Sequence, residues 1–214
     1  MSGWLPAVGA PALAALLLCA AGCPEEGGAD RPAYSRVAAV SAGAGAQTPA
    51  GWCDQYRPDA EAPTLSLPAA VAVGGGPAPA ILKGRWWWVN LWATWCKPCL
   101  REMPLLPRWR EAFGREGIKL DLVYLSIDSS LEDLKAFLAS HRELIPPGAI
   151  SLRLSDPSTD AEALAKWLTD RGLPEDQTIP IHLLVDPAGK LRCLRAGSIS
   201  DSDFSIVEAL LRGP

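Results

Sequence analysis

The chain has 214 residues, a formal net charge of −4, and 49% hydrophobic residues. That length allows one core-bearing domain with appendages, or at most two small domains. No Lys/Arg cluster stands out, which argues against nucleic acid as a partner and against electrostatic attraction to anionic lipid.

Residues 5–22 carry no charge and include Leu13, Leu16, Leu17 and Leu18, interrupted by Pro6, Gly9 and Pro11. The pattern is that of a secretory signal core rather than a spanning helix. The usual basic n-region is missing, because no Lys or Arg precedes Arg31. The segment ends in Ala20-Ala21-Gly22-Cys23 and resembles a bacterial lipoprotein signal, which implies lipidation of Cys23. Ala20 stands where that signal usually has Leu, and ordinary cleavage after an Ala-x-Ala-like site is the alternative. From Pro24 to about Pro63 the composition is Ala, Gly, Pro and small polar residues without periodicity. It reads as a flexible tether. Gly51-Trp52-Cys53 is out of place in a pure linker and marks a candidate start of ordered structure. The expected division is a signal segment 1–23, a linker 24–61 and a folded domain 62–214.

Thr64–Val73 reads as a short strand before a Gly74-Gly75-Gly76-Pro77 break. Trp86–Trp92 is a bulky, aromatic run typical of a buried strand. Lys97–Phe113 is a helix that Pro104 and Pro107 must kink or break, with Glu102, Arg108, Arg110 and Glu111 expected on its exposed side. Leu120–Ile127 is a second clear strand, and Leu131–Ser140 a helix capped by Ser129 or Ser130. After the Pro146-Pro147-Gly148 loop, Ile150–Leu154 is a short strand and Asp160–Arg171 a helix closed by Gly172. Ile181–Val185 and Leu191–Arg195 form a hairpin about Asp186-Pro187-Ala188-Gly189, and Asp203–Leu211 is a last helix. Strands alternating with helices call for an α/β domain, a central sheet with helices on both faces.

The six cysteines are Cys19, Cys23, Cys53, Cys96, Cys99 and Cys193. Cys96 and Cys99 pair by proximity within Trp95-Cys96-Lys97-Pro98-Cys99, at a strand-to-helix junction. Unpaired N–H groups and positive partial charge at a helix start favour thiolate, the reactive species. Disulfide exchange needs an exposed attacking thiol and a second thiol that resolves the mixed disulfide. Cys96 fits the first role; Cys99, one turn in and more buried, fits the second. Pro98 lacks an N–H where the helix has no partner for one. Lys97 adds a cation beside the thiolate, or is simply a solvated charge. Glu102 lies one helical turn beyond Cys99 and could accept its proton. Cys53 and Cys193 are left over. They are a structural disulfide in an oxidising compartment, or two free thiols in the cytosol.

Trp92-Ala93-Thr94-Trp95-Cys96-Lys97-Pro98-Cys99 resembles the thioredoxin superfamily. Arg101-Glu102-Met103-Pro104 after the second cysteine and Asn90 six residues before the first resemble its TlpA/ResA-like branch. Ile179-Pro180-Ile181-His182-Leu183-Leu184-Val185-Asp186 resembles the proline-led strand of that family. The resemblance implies a thioredoxin-like fold with an extra strand–helix piece around residues 142–172. It implies a cis Pro180 facing the sulfurs, with Ile179 free to pair with an extended substrate chain. Trp92 and Trp95 match the active-site flank, whereas Trp86, Trp87 and Trp88 are expected in core and edge packing. His141 and His182 are expected to be structural, although His182 shares a strand face with Pro180 and could approach the sulfurs.

The implied activity is thiol–disulfide exchange with cysteines of exported proteins in the bacterial cell envelope or periplasm, through a lipid-anchored chain. One family role is reduction during cytochrome c maturation, with a separate redox partner. No cofactor and no metal are expected. Two alternatives stay open. A peroxide-reducing redoxin would usually carry Thr or Ser three residues before the attacking cysteine, where this chain has Ala93. A copper-delivery protein of related fold would use Cys-x-x-x-Cys and a distant His, and a structural zinc lacks two further ligands.

Overall fold

The computed structural model describes residues 48–57, 62–80, 83–174 and 176–213. The expected signal segment with Cys23, and the linker apart from residues 48–57, lie outside the described residues.

The sheet is built around β3, Trp86–Trp92, of which every residue is buried. A strand buried on both faces needs apolar residues at every position, and the run of Trp, Val and Leu supplies them. β3 pairs in parallel with β4 (Leu120–Ser126) and antiparallel with β6 (Ile181–Val185). β4 carries β5 (Ile150–Leu154) in parallel, and β5 carries β2 (Ala70–Ala72) antiparallel. On the other side, β6 pairs with β7 (Leu191–Ala196), and β7 with β1 (Gln55–Tyr56). The seven-stranded order is β1-β7-β6-β3-β4-β5-β2. The sheet is mixed and helices pack on it, as the α/β reading requires.

The period-2 alternation of a strand divides the core in two. Trp88, Trp92, Leu122, Tyr124 and Leu184 face one layer, which includes Leu106, Trp109 and Phe113 of α3 (Leu105–Arg115), Leu134 of α4 (Leu131–Ser140) and Val207 and Leu210 of α6 (Phe204–Arg212). Trp87, Val89, Leu91, Leu183 and Val185 face the other, with Leu164 and Leu168 of α5 (Pro157–Thr169). Asn90, between Val89 and Leu91, therefore points to the α3 side.

The helix expected over 97–113 is two helices, α2 (Lys97–Glu102) and α3, broken at Met103-Pro104. Pro104 has no N–H to donate, and its ring would clash with the carbonyl four residues back. Pro107 sits in the first turn of α3, where N–H groups have no helical partner, so it is accommodated. Ser130 caps α4, its hydroxyl accepting from the Asp133 N–H at 3.1 Å.

Two expected boundaries are corrected. The strand expected over 64–73 shrinks to Ala70–Ala72, with one bridge from Thr64 to Lys190. Ordered structure begins well before residue 62, with α1 (Pro49–Trp52) and β1. Trp52 is buried, its Nε1 donates to Asp203 at 3.0 Å, and Arg195 donates to its carbonyl at 2.7 Å. Cys53 is disulfide-bonded to Cys193 of β7, so this segment belongs to the folded body. Among the described residues no helix is long and apolar enough to cross a membrane.

Candidate active site

β3 ends at Trp92, and the chain turns through Ala93-Thr94-Trp95 into α2. Asp128, just past β4, holds this turn. Its carboxylate accepts from the Thr94 N–H (3.1 Å), the Thr94 hydroxyl (2.7 Å) and the Ser126 hydroxyl (2.7 Å). Arg153 of β5 donates to the carbonyls of Asp128 and Ser129, both at 3.2 Å. Thr94, two residues before Cys96, is thus fixed from the neighbouring strands. Asp128 escaped the sequence reading because its partner Thr94 is 34 residues away, in no local motif.

Cys96 is the N-cap of α2, and its Sγ accepts from the Cys99 N–H at 3.2 Å. The two sulfurs form a disulfide. Cys96 keeps 4% of its surface exposed and Cys99 none, so Cys96 is the sulfur within reach of a partner. The expected order of burial holds, but in the disulfide form Cys96 is nearly covered rather than open. Lys97 is solvent-exposed and Pro98 half-buried in the first turn. Trp95 is 66% exposed, the one large hydrophobic side chain left open among the described residues.

The Ile179–Pro180 peptide bond is cis, and Cys96 Sγ lies 3.7 Å from the Ile179 carbonyl oxygen. The loop before β6 and the start of α2 therefore meet at Cys96 Sγ. Beside them lies an apolar cavity of about 340 Å³, whose walls include Trp95, Ile179, Ile181 and, from α5, Leu164 and Leu168.

Glu102 is buried, not exposed as helical periodicity suggested. It lies one turn beyond Cys99, on the face of α2 that is buried. Its Oε2 accepts from the Ile199 N–H at 2.9 Å, and its Oε1 from Asn90 Nδ2 at 3.1 Å. His182 Nε2 stands 3.3 Å from the same Oε1, and Trp88 Nε1 donates to His182 Nδ1 at 3.1 Å. His182 is fully buried and directly across the ladder from Asn90. It therefore joins Glu102, not the sulfurs. His141 is structural: its ring stacks on Phe137 at 4.1 Å at the end of α4. Tyr124, opposite Asn90 on β4, has its phenol pushed well above the ordinary range, chiefly by burial.

The sequence profile of the AhpC/TSA family matches residues 58–194, which hold Cys96, Cys99, Glu102, Asp128, Pro180 and His182. The chain belongs to the AhpC/TSA family. Relatives of this family member include the thiol-disulfide oxidoreductase ResA of Bacillus subtilis, 25% identical over 121 residues, or 56% of this chain and 58% of ResA. ResA of Bacillus thuringiensis is 50% identical over a shorter stretch of 44 residues, 19% of this chain and 25% of that relative. The chain thus spans a little over half the length of the Bacillus subtilis protein. Among solved structures, the thioredoxin domain of a thiol-disulfide oxidoreductase from Bacteroides vulgatus is similar at 21% identity and TM-score 0.50, over 70% of this chain and 98% of that one. A thiol:disulfide interchange protein from Bacteroides sp. matches at 21% identity and TM-score 0.50, over 71% of this chain and 92% of that one. The family member shares their thioredoxin-like fold, and the resemblance to the TlpA/ResA-like branch holds.

Proposed function

We propose that the chain is a thiol–disulfide oxidoreductase working through Cys96 and Cys99. The observation that carries this reading is the sulfur pair at the start of α2, with Cys96 Sγ 3.7 Å from the carbonyl of Ile179. In the reducing direction, the Cys96 thiolate attacks a substrate disulfide, forms a mixed disulfide and expels one substrate thiolate. Cys99 gives its proton to Glu102 and attacks Cys96 Sγ. The second substrate thiolate leaves, and two electrons have passed from the dithiol to the substrate. The fixed helix start and the Ile179 backbone position the reacting sulfurs, which converts an encounter into an oriented displacement.

Cysteines of exported proteins are the substrates this reading favours, with a reductant role in cytochrome c maturation as one case. An extended chain can lie along Ile179 and seat an apolar side chain in the cavity beside Trp95. The Cys53–Cys193 disulfide suits an oxidising compartment, consistent with export and a lipid anchor at Cys23. In cells, labelled palmitate is incorporated and the label is lost in Cys23→Ala; no incorporation refutes the anchor. Ala93 is apolar and buried three residues before Cys96, which leaves no hydroxyl where a peroxidase would usually place one. The direct test is insulin reduction with dithiothreitol. The wild-type protein accelerates precipitation and Cys96→Ser abolishes the effect; equal rates for the two contradict the reading.

A further inference from the structure

The buried polar cluster behind the sulfurs contains a histidine that the exchange steps above do not use. Its protonation is fixed by its partners. An indole N–H can only donate, so His182 Nδ1, which receives the Trp88 N–H at 3.1 Å, must be an acceptor. The neutral ring then carries its proton on Nε2, the nitrogen 3.3 Å from Glu102 Oε1. Nδ1 is also 3.4 Å from Asn90 Nδ2. The Asn90 amide is oriented by the same logic: Glu102 Oε1 and His182 Nδ1 both accept, so its NH₂ group faces them. Asn90 Nδ2 therefore donates to one carboxylate oxygen and the Ile199 N–H to the other, and His182 Nε2 stands 3.3 Å from the oxygen that Asn90 serves. The His182 contact is off-axis and looser than a formed hydrogen bond in the disulfide form.

We propose that His182 is a positioning residue for resolution: Trp88 fixes its ring so that the Nε2–H lies beside Glu102 Oε1, and this favours Glu102 as the carboxylate that receives the Cys99 proton. The proposal rests on the reading of Glu102 as that acceptor. A carboxylate in a buried site is disfavoured unless donors face it, so each N–H beside Oε1 favours the form that can take a proton. The other charged or titratable groups near the pair do not take this role. Arg195 is opposite His182 on β7, but its guanidinium is committed to the Trp52 carbonyl and ring. Tyr124 on β4 is held neutral by burial, and the nearby Arg110 acts on Tyr124 from α3.

The test is stopped-flow oxidation by 4,4′-dithiodipyridine, across pH, of protein in which the Cys96–Cys99 pair is reduced and the Cys53–Cys193 bridge is intact. Two thiopyridone releases are read. The first reports attack by Cys96, which forms the mixed disulfide. The second reports attack by Cys99 on Cys96 Sγ, with its proton passing to Glu102 and the second thiopyridone leaving. In His182→Leu the first phase is unchanged, and the acidic limb of the second phase moves up by about one pH unit, about tenfold in rate on that limb. His182→Gln places an N–H₂ near the Nε2 position and restores most of the wild-type profile. A His182→Leu second phase that overlays wild type overturns the proposal. So does a His182→Gln profile displaced as far as that of His182→Leu, because packing alone would then explain both. Glu102→Gln separates the two ideas. If it leaves the second phase unchanged, the acceptor reading itself fails. If it slows that phase while His182→Leu does not, only the role of His182 fails.

Discussion

Tyr124 shows what a single side chain contributes behind the redox pair. It is fully buried, and among the described residues its hydroxyl has no hydrogen-bond partner. Burial raises its ionisation above the unfolded value of 10.0. The linkage follows from the proton count. Below pH 10 both states keep the phenolic proton and the residue has no pH effect. Above pH 10 the unfolded chain loses the proton first, so stability falls by about 1.4 kcal/mol per pH unit until the folded phenol also ionises. Tyr124→Phe removes that alkaline loss. At pH 7 the variant stays within about 1 kcal/mol of wild type, because an unpartnered buried hydroxyl adds little. Urea titrations at pH 7 and above pH 10 check this. A variant that loses as much stability as wild type between the two would contradict it.

At the scale of elements, residues 48–57 act as a clamp. α1 and β1 bury Trp52, add an edge strand to β7 and close the Cys53–Cys193 disulfide across 140 residues of chain. A crosslink over so long a loop restricts the unfolded chain strongly, and loss of such a bridge typically costs about 2–5 kcal/mol. The double variant Cys53→Ser/Cys193→Ser lowers the melting temperature by roughly 5–15 °C. Its exchange activity at room temperature persists, since neither cysteine belongs to the Cys96–Cys99 pair. Calorimetry with and without the bridge checks the first point and insulin reduction the second; an unchanged melting temperature would contradict the clamp. Trp52 beside Cys53 and the leftover Cys53–Cys193 pair hinted at this in the sequence. The contacts that order the segment, Asp203 and Arg195, are more than 140 residues away, so local composition reads as linker.

For the molecule as a whole, what could be read depended on whether the signal was local. β3, β4, β5 and β6 were legible because bulky or alternating runs bury their own faces, and the Cys96–Cys99 motif because its spacing is its chemistry. Glu102 was assigned to an exposed helix face and also to a proton role. The first was wrong, because Glu102 lies one turn past Cys99 on the same face of α2 and is buried with it. His182 had its strand partner Asn90 in the list of notable residues, but only the antiparallel register of β3 and β6 shows that they face each other. Asp128 and the α1–β1 clamp depend on long-range pairing and left no local pattern. The sheet brings Asp128 and Pro180 to the end of β3, with an exposed Trp95 and a nearly covered Cys96 at the surface and a polar cluster beneath. The division of labour between the two sulfurs is the centre of the account. Mass spectrometry of Cys99→Ser after exposure to a disulfide-bonded peptide tests it most directly. The account predicts a stable mixed disulfide on Cys96, and no adduct in Cys96→Ser; an adduct on Cys99 in the Cys96→Ser protein, or none on Cys96 in Cys99→Ser, would contradict it.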